Sequence, residues 1–103
     1  MDYQQVAYLL TGLLRIHDTE SFERYRTAVG ATLTAYSGTV KSRGTVDGFF
    51  WDELGCGDFQ ATVTLEFPDK ASAQAWATGP EYAQLLDVRQ RAMSLTLFGA
   101  ESA

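Results

Sequence analysis

The chain has 103 residues, a single-domain length, and at 46% hydrophobic and 13% aromatic it carries enough apolar matter for a packed core rather than a disordered segment. A net charge of -5 argues against nucleic acid and against an anionic membrane surface, since both are held by basic stripes and none is present. The lone cysteine, Cys56, excludes an intrachain disulfide and a cysteine-only zinc site.

The first apolar run, residues 6–14, is interrupted by Thr11 and Gly12, is too short to span a bilayer and is followed by no small-residue cleavage site. The expectation is one cytoplasmic domain over residues 1–103. Residues 6–16 read as a strand with Tyr8, Leu10, Leu14 and Ile16 on one side and Leu9, Thr11, Leu13 and Arg15 on the other. Apolar residues on both sides place it centrally, covered on both faces. Asp18 or Thr19 can cap a helix in which Phe22, Tyr25, Val29, Leu33 and Tyr36 recur at helical spacing, with Glu20, Glu23, Arg24 and Arg26 on the wet side. Ser37-Gly38 ends it, glycine being expected where the chain turns left-handed.

Residues 39–46 form a second strand carrying Lys41 and Arg43. Residues 62–67 form a third, with Val63, Leu65 and Phe67 alternating against Thr62, Thr64 and Glu66. Asp69 caps a helix through Ala71, Ala75 and Trp76, and Gly79-Pro80 breaks it and starts another with Tyr82, Leu85, Leu86 and Arg89 on the core. Residues 93–98 close the chain as a strand, and residues 99–103 are expected to fray. The order is the βαββαβ of a ferredoxin-like α+β fold, a four-stranded antiparallel sheet with helices on one face. The other face would carry Thr62, Thr64, Glu66, Ser94 and Thr96. Leu9, Leu13 and Phe98 on the same face favour its burial against a second copy in a homodimer.

Phe22-x-x-Tyr25, Tyr36-x-Gly38 and Arg43-Gly44, followed by Glu66-Phe67-Pro68, Ala75-Trp76, Pro80-Glu81-Tyr82 and Arg89, together resemble the DUF1330 family over about residues 8–98. The resemblance implies the dimeric α/β-barrel superfamily, two ferredoxin-like subunits joined through their sheets. That superfamily holds cofactor-independent monooxygenases, polyketide cyclases, muconolactone isomerases and heme-degrading enzymes. DUF1330 itself implies architecture rather than chemistry. Residues 47–58 depart from the family's plainer hairpin, so nothing is carried over onto them.

His17, the only histidine, is either a surface residue at a strand-to-helix corner or a base facing a cavity. The connection over residues 45–59 holds Phe49, Phe50, Trp51 and Phe59 among glycines, and reads equally as a lid and as an arm packed on a partner. Asp52, Glu53 and Asp58 in it read as solvated acids, and Cys56 as an incidental thiol with no base beside it. Arg43 and Arg89 either pair with Glu66 or bind an anionic substrate group through the guanidinium fork.

The expected function is a cofactor-independent enzyme, with no metal, acting on a small apolar or aromatic molecule by proton transfer such as cyclisation, isomerisation or lactone opening. His17 and Arg43 are the candidate catalytic residues. Tyr8, Tyr25, Trp51, Trp76, Tyr82 and Arg89 are the candidate substrate contacts, in a pocket between sheet and helices. The alternatives are a noncatalytic dimeric ligand-binding or structural module and a cofactor-independent monooxygenase.

Overall fold

A computed structural model describes residues 7–101. In chain order the elements are β1 (Tyr8–Ile16), α1 (Thr19–Thr34), β2 (Thr39–Thr45), β3 (Ala61–Phe67), α2 (Lys70–Thr78), α3 (Pro80–Ala83), α4 (Leu86–Ala92) and β4 (Met93–Glu101). The strands form one antiparallel sheet in the order β2-β3-β1-β4, with β1 paired on both sides as its two-faced apolar pattern requires. This is the ferredoxin-like α+β fold.

Local signals explain the helix limits. The Asp18 carboxylate accepts the Ser21 amide at 3.0 Å, and that of Asp69 accepts the Ser72 amide at 2.7 Å, so each satisfies a donor that the first helical turn leaves free. Both carboxyls are held below the usual carboxylate range, chiefly by these bonds to Ser21 and Ser72. At the other end of α1, Gly38 N–H donates to the Leu33 carbonyl at 2.9 Å and Ser37 N–H to that of Thr34 at 3.1 Å, a Schellman ending. The left-handed residue there is Ser37, at φ 63°, not Gly38 as expected from sequence. Gly38 serves packing instead: a Cβ there would fall 2.5 Å from the ring of Phe67.

Leu10 and Leu14 from β1, Leu65 and Phe67 from β3, and Met93 from β4 meet Tyr25, Val29 and Leu33 of α1 and Trp76 and Tyr82 from the second helical segment. Phe67, Trp76 and Leu33 are the largest fully buried side chains. Each such side chain contributes about 1.5–3 kcal/mol by leaving water.

Three expectations need correction. The segment after Gly79 is two short pieces, α3 and α4, and Leu86 is 40% exposed while Tyr82 and Ala92 hold the core. Residues 99–101 do not fray, because β1 reaches back to Tyr8 and pairs with them as far as Glu101. Val6, expected to begin β1, and residues 102–103 of the expected tail lie outside the described residues. The third concerns Glu66, which lies on the open face within 3.9 Å of Lys41 and away from Arg43 and Arg89.

The face without helices is as read from sequence. Leu9 sits opposite Glu66, Thr11 opposite Thr64 and Phe98, and Leu13 opposite Thr62 and Thr96. Among the described residues no helix is long and apolar enough to cross a membrane.

Candidate functional site

Between the sheet and α1 lies a cavity of about 430 Å³, a volume suited to a small organic ligand. Its walls are mainly apolar: Leu14, Val29, Val63, Leu65, Met93 and Trp76. Polar groups are few and include Glu23 and Arg26 from α1 and Arg43 and Thr45 from β2.

A bulge in β2 brings Arg43 to this side. Val40 pairs with Leu65, but the next paired residue is Ser42, opposite Thr64, so Lys41 is the extra residue and Arg43 falls opposite Val63. Side chains alternate faces along a strand, so if Lys41 were paired with Thr64 in regular alternation Arg43 would stand opposite Thr62 and point to the open face. Among the described residues Arg43 makes no ion pair, whereas Arg26 is held by Glu23 at 3.0 Å. The guanidinium of Arg43 is thus an unpaired, solvent-exposed charge beside an apolar chamber.

Tyr25 lines the cavity from α1, and its hydroxyl lies 2.8 Å from that of Tyr82. Tyr82 also accepts a hydrogen bond from Arg89 Nη1 at 3.1 Å, and the guanidinium carbon lies 5.6 Å from its ring centre. The two tyrosine rings meet edge to face at 6.2 Å. Burial, and then the neighbouring Tyr82, push the Tyr25 hydroxyl well above the ordinary tyrosine range, so it keeps its proton. Trp76 closes the floor. Its indole N–H donates to Thr32 Oγ1 at 3.0 Å, and Thr32 in turn donates to the Val29 carbonyl at 2.6 Å.

The structure therefore brings Arg43, Tyr25 and Trp76 together on one cavity, with Tyr82 and Arg89 directly behind Tyr25. Tyr8 is elsewhere, with its ring over Gly99, where a Cβ would collide with it. Trp51 is 80% exposed in the 46–60 connection. His17 is also outside the cavity: its Nε2 lies 2.7 Å from Ser94 Oγ, near a smaller cleft of about 190 Å³ at the end of the open face. Glu23 and Arg26 were missed because helical periodicity assigns them to the wet side. The usable signal was that they flank Phe22 and Tyr25 at the margin of the apolar stripe. Among the described residues no group of three or more His, Cys, Asp or Glu is placed to hold a metal ion.

Comparison with known proteins fits this architecture. A protein of unknown function from Rhodopseudomonas palustris superposes with a TM-score of 0.80 at 15% identity, covering 97% of this chain and 85% of its own. SnoaB, a cofactor-independent oxygenase from Streptomyces nogalater, gives 0.69 at 8% identity, over 95% and 94%. A dimeric ferredoxin-like protein of unknown function from Thermobifida fusca gives 0.61 at 14% identity, over 99% and 96%. At these identities the likeness establishes the fold alone. No curated protein matches the chain. The family model for the domain of unknown function DUF1330 matches residues 6–102, nearly the whole sequence, and the chain belongs to that family.

Proposed function

We propose that the protein is a cofactor-independent enzyme that takes a small, flat, largely apolar carbonyl or phenolic molecule into the cavity between the sheet and α1 and moves a proton on it. The observation that carries this reading is the unpaired Arg43 guanidinium on a cavity of about 430 Å³ whose walls are otherwise mainly apolar. In such a setting an unpaired cation stabilises the negative charge of an enolate or phenolate more than it stabilises the neutral ligand, which is what lowers a barrier. Glu23, the carboxylate on the lining, is the base; Tyr25 and Trp76 hold the ring.

The reading includes pairing. Two copies meet through the open sheet face, with Leu9, Leu13 and Phe98 at its centre and the 46–60 arm as its apolar flank. Support comes from the exposure of Phe50 (88%), Trp51 (80%) and Leu54 (91%), too much apolar surface in one place for a solitary chain. The Thermobifida protein of the same fold, described as dimeric, points the same way.

The test is proton exchange on 2-tetralone, a flat apolar ketone, followed by NMR in heavy water. The protein is expected to accelerate loss of the C1 proton, and Glu23→Gln and Arg43→Gln are each expected to lower that rate by about 100-fold. Exchange no faster than in buffer contradicts the catalytic part of the proposal. A second reading, oxygenation of the same ligand, draws on the likeness to SnoaB. It predicts consumption of dissolved oxygen with an aromatic phenol such as a naphthol, which proton transfer alone does not produce.

A further inference from the structure

The smaller cleft carries chemistry that the cavity does not use. It is lined by Leu13, Arg15, Cys56, Asp58, Ser94 and Thr96, with Phe59 and Leu95 completing its walls. At its margin His17 Nε2 lies 2.7 Å from Ser94 Oγ, the contact by which an imidazole activates a hydroxyl nucleophile.

The fold fixes that contact from both ends of the chain. Ser94 stands directly opposite Arg15 in the β1–β4 ladder, two residues before His17. The amides of His17 and Asp18 both donate to the Ala92 carbonyl, at 2.8 and 3.2 Å, which ties the turn after β1 to the start of β4. The far wall is also ordered. Asp52 Oδ1 and Oδ2 accept the amides of Cys56 and Gly57 at 3.0 and 3.3 Å, and Phe59 packs edge-on against Phe49 at 5.2 Å. Arg15 lines the cleft with Ser94 and pairs with Asp58 at 3.4 Å, both side chains largely exposed.

We propose that Ser94 and His17 form a nucleophilic dyad that transfers the acyl group of small esters, independently of the cavity chemistry. Ser94 Oγ bonds to the ester carbonyl carbon while its proton passes to His17 Nε2. Negative charge on the carbonyl oxygen faces the Arg15 guanidinium. The bond to the leaving alcohol then breaks and His17 returns the proton to the departing oxygen, leaving acyl-Ser94. Water, deprotonated by His17, releases the acid and restores the serine. Arg15 and Ser94 are the same-face pair next beyond Leu13 and Thr96, toward the end of the open face, and the cleft shares Leu13 and the 46–60 arm with the proposed pairing surface.

The experiment uses 4-nitrophenyl acetate with the full chain, following nitrophenolate release and then mapping the acetylated peptide by mass spectrometry. One acetyl group on Ser94 is expected, absent from Ser94→Ala, with acylation in His17→Gln slowed about 100-fold. Circular dichroism checks that both variants keep the fold, which is expected because both side chains are exposed. Label on Cys56 or surface lysines without Ser94 overturns the proposal. Equal acylation rates in the wild type and His17→Gln overturn it as well, since Ser94 would then react without its base.

Discussion

At the scale of single residues, the site depends on buried polar groups that satisfy one another. The Trp76 indole has its acceptor in Thr32, so Thr32→Val leaves that N–H buried without a partner. The expected cost is about 1–3 kcal/mol, read as a lower midpoint in urea unfolding at unchanged slope. A loss below about 0.5 kcal/mol, the ordinary scatter of a surface change, contradicts this role. Tyr25 predicts a pH effect. Its folded pKa is raised by burial, so its contribution is complete below the ordinary tyrosine pKa and is lost as pH rises through the folded value. Thermal midpoints should therefore fall above about pH 10, and Tyr25→Phe should lessen that fall. Asp18 and Asp69 act at the other limb. Their folded pKa values are depressed, so the stability they contribute is present above the ordinary carboxylate range and is lost as pH falls through the folded values. Asp18, Asp69 and Trp76 were legible in sequence because caps and apolar periodicity are local signals. The Thr32–Trp76 bond was not, since it joins residues 44 apart and no local pattern encodes it.

At the scale of elements, the β2 bulge is the feature on which the site turns. Deleting Lys41 removes the bulge but leaves Ser42 opposite Thr64 and Arg43 opposite Val63, so Arg43 should stay on the cavity side. Ligand affinity should then stay close to that of the wild type, unlike Arg43→Gln, with the rest of the sheet intact by hydrogen exchange. A fall as large as in Arg43→Gln contradicts this reading of the register. The bulge was invisible from sequence, because Val40, Lys41 and Ser42 contain neither the glycine nor the proline that often marks one. The 46–60 arm was legible as a long aromatic connection, but not in its role. Phe50→Ser with Trp51→Ser should leave the folding stability of a single chain within about 0.5 kcal/mol, because both side chains are largely exposed. The same change should weaken self-association measurably in sedimentation equilibrium. An unchanged dissociation constant removes the arm from the interface.

At the scale of the whole molecule, the split βαβ order, the central place of β1 and the composition of the open face all followed from alternation and capping. Leu9, Leu13, Thr62, Thr64 and Thr96 stand on that face as their spacing predicts. What sequence could not supply was which distant residues share a chamber. It grouped His17 with Arg43, whereas the strand register puts His17 beside Ser94 and Arg43 across the sheet from it. The central claim is that the chamber under α1 receives a flat apolar molecule with its charge on Arg43. The most direct measurement is an NMR titration of the full chain with 2-naphthoate, observing side-chain methyl groups. Saturable shifts at Val29, Leu65 and Met93, with affinity reduced about 10-fold or more in Arg43→Gln, are the predicted result. Shifts confined to Leu9, Leu13 and the open face, or affinity indifferent to Arg43, would contradict it.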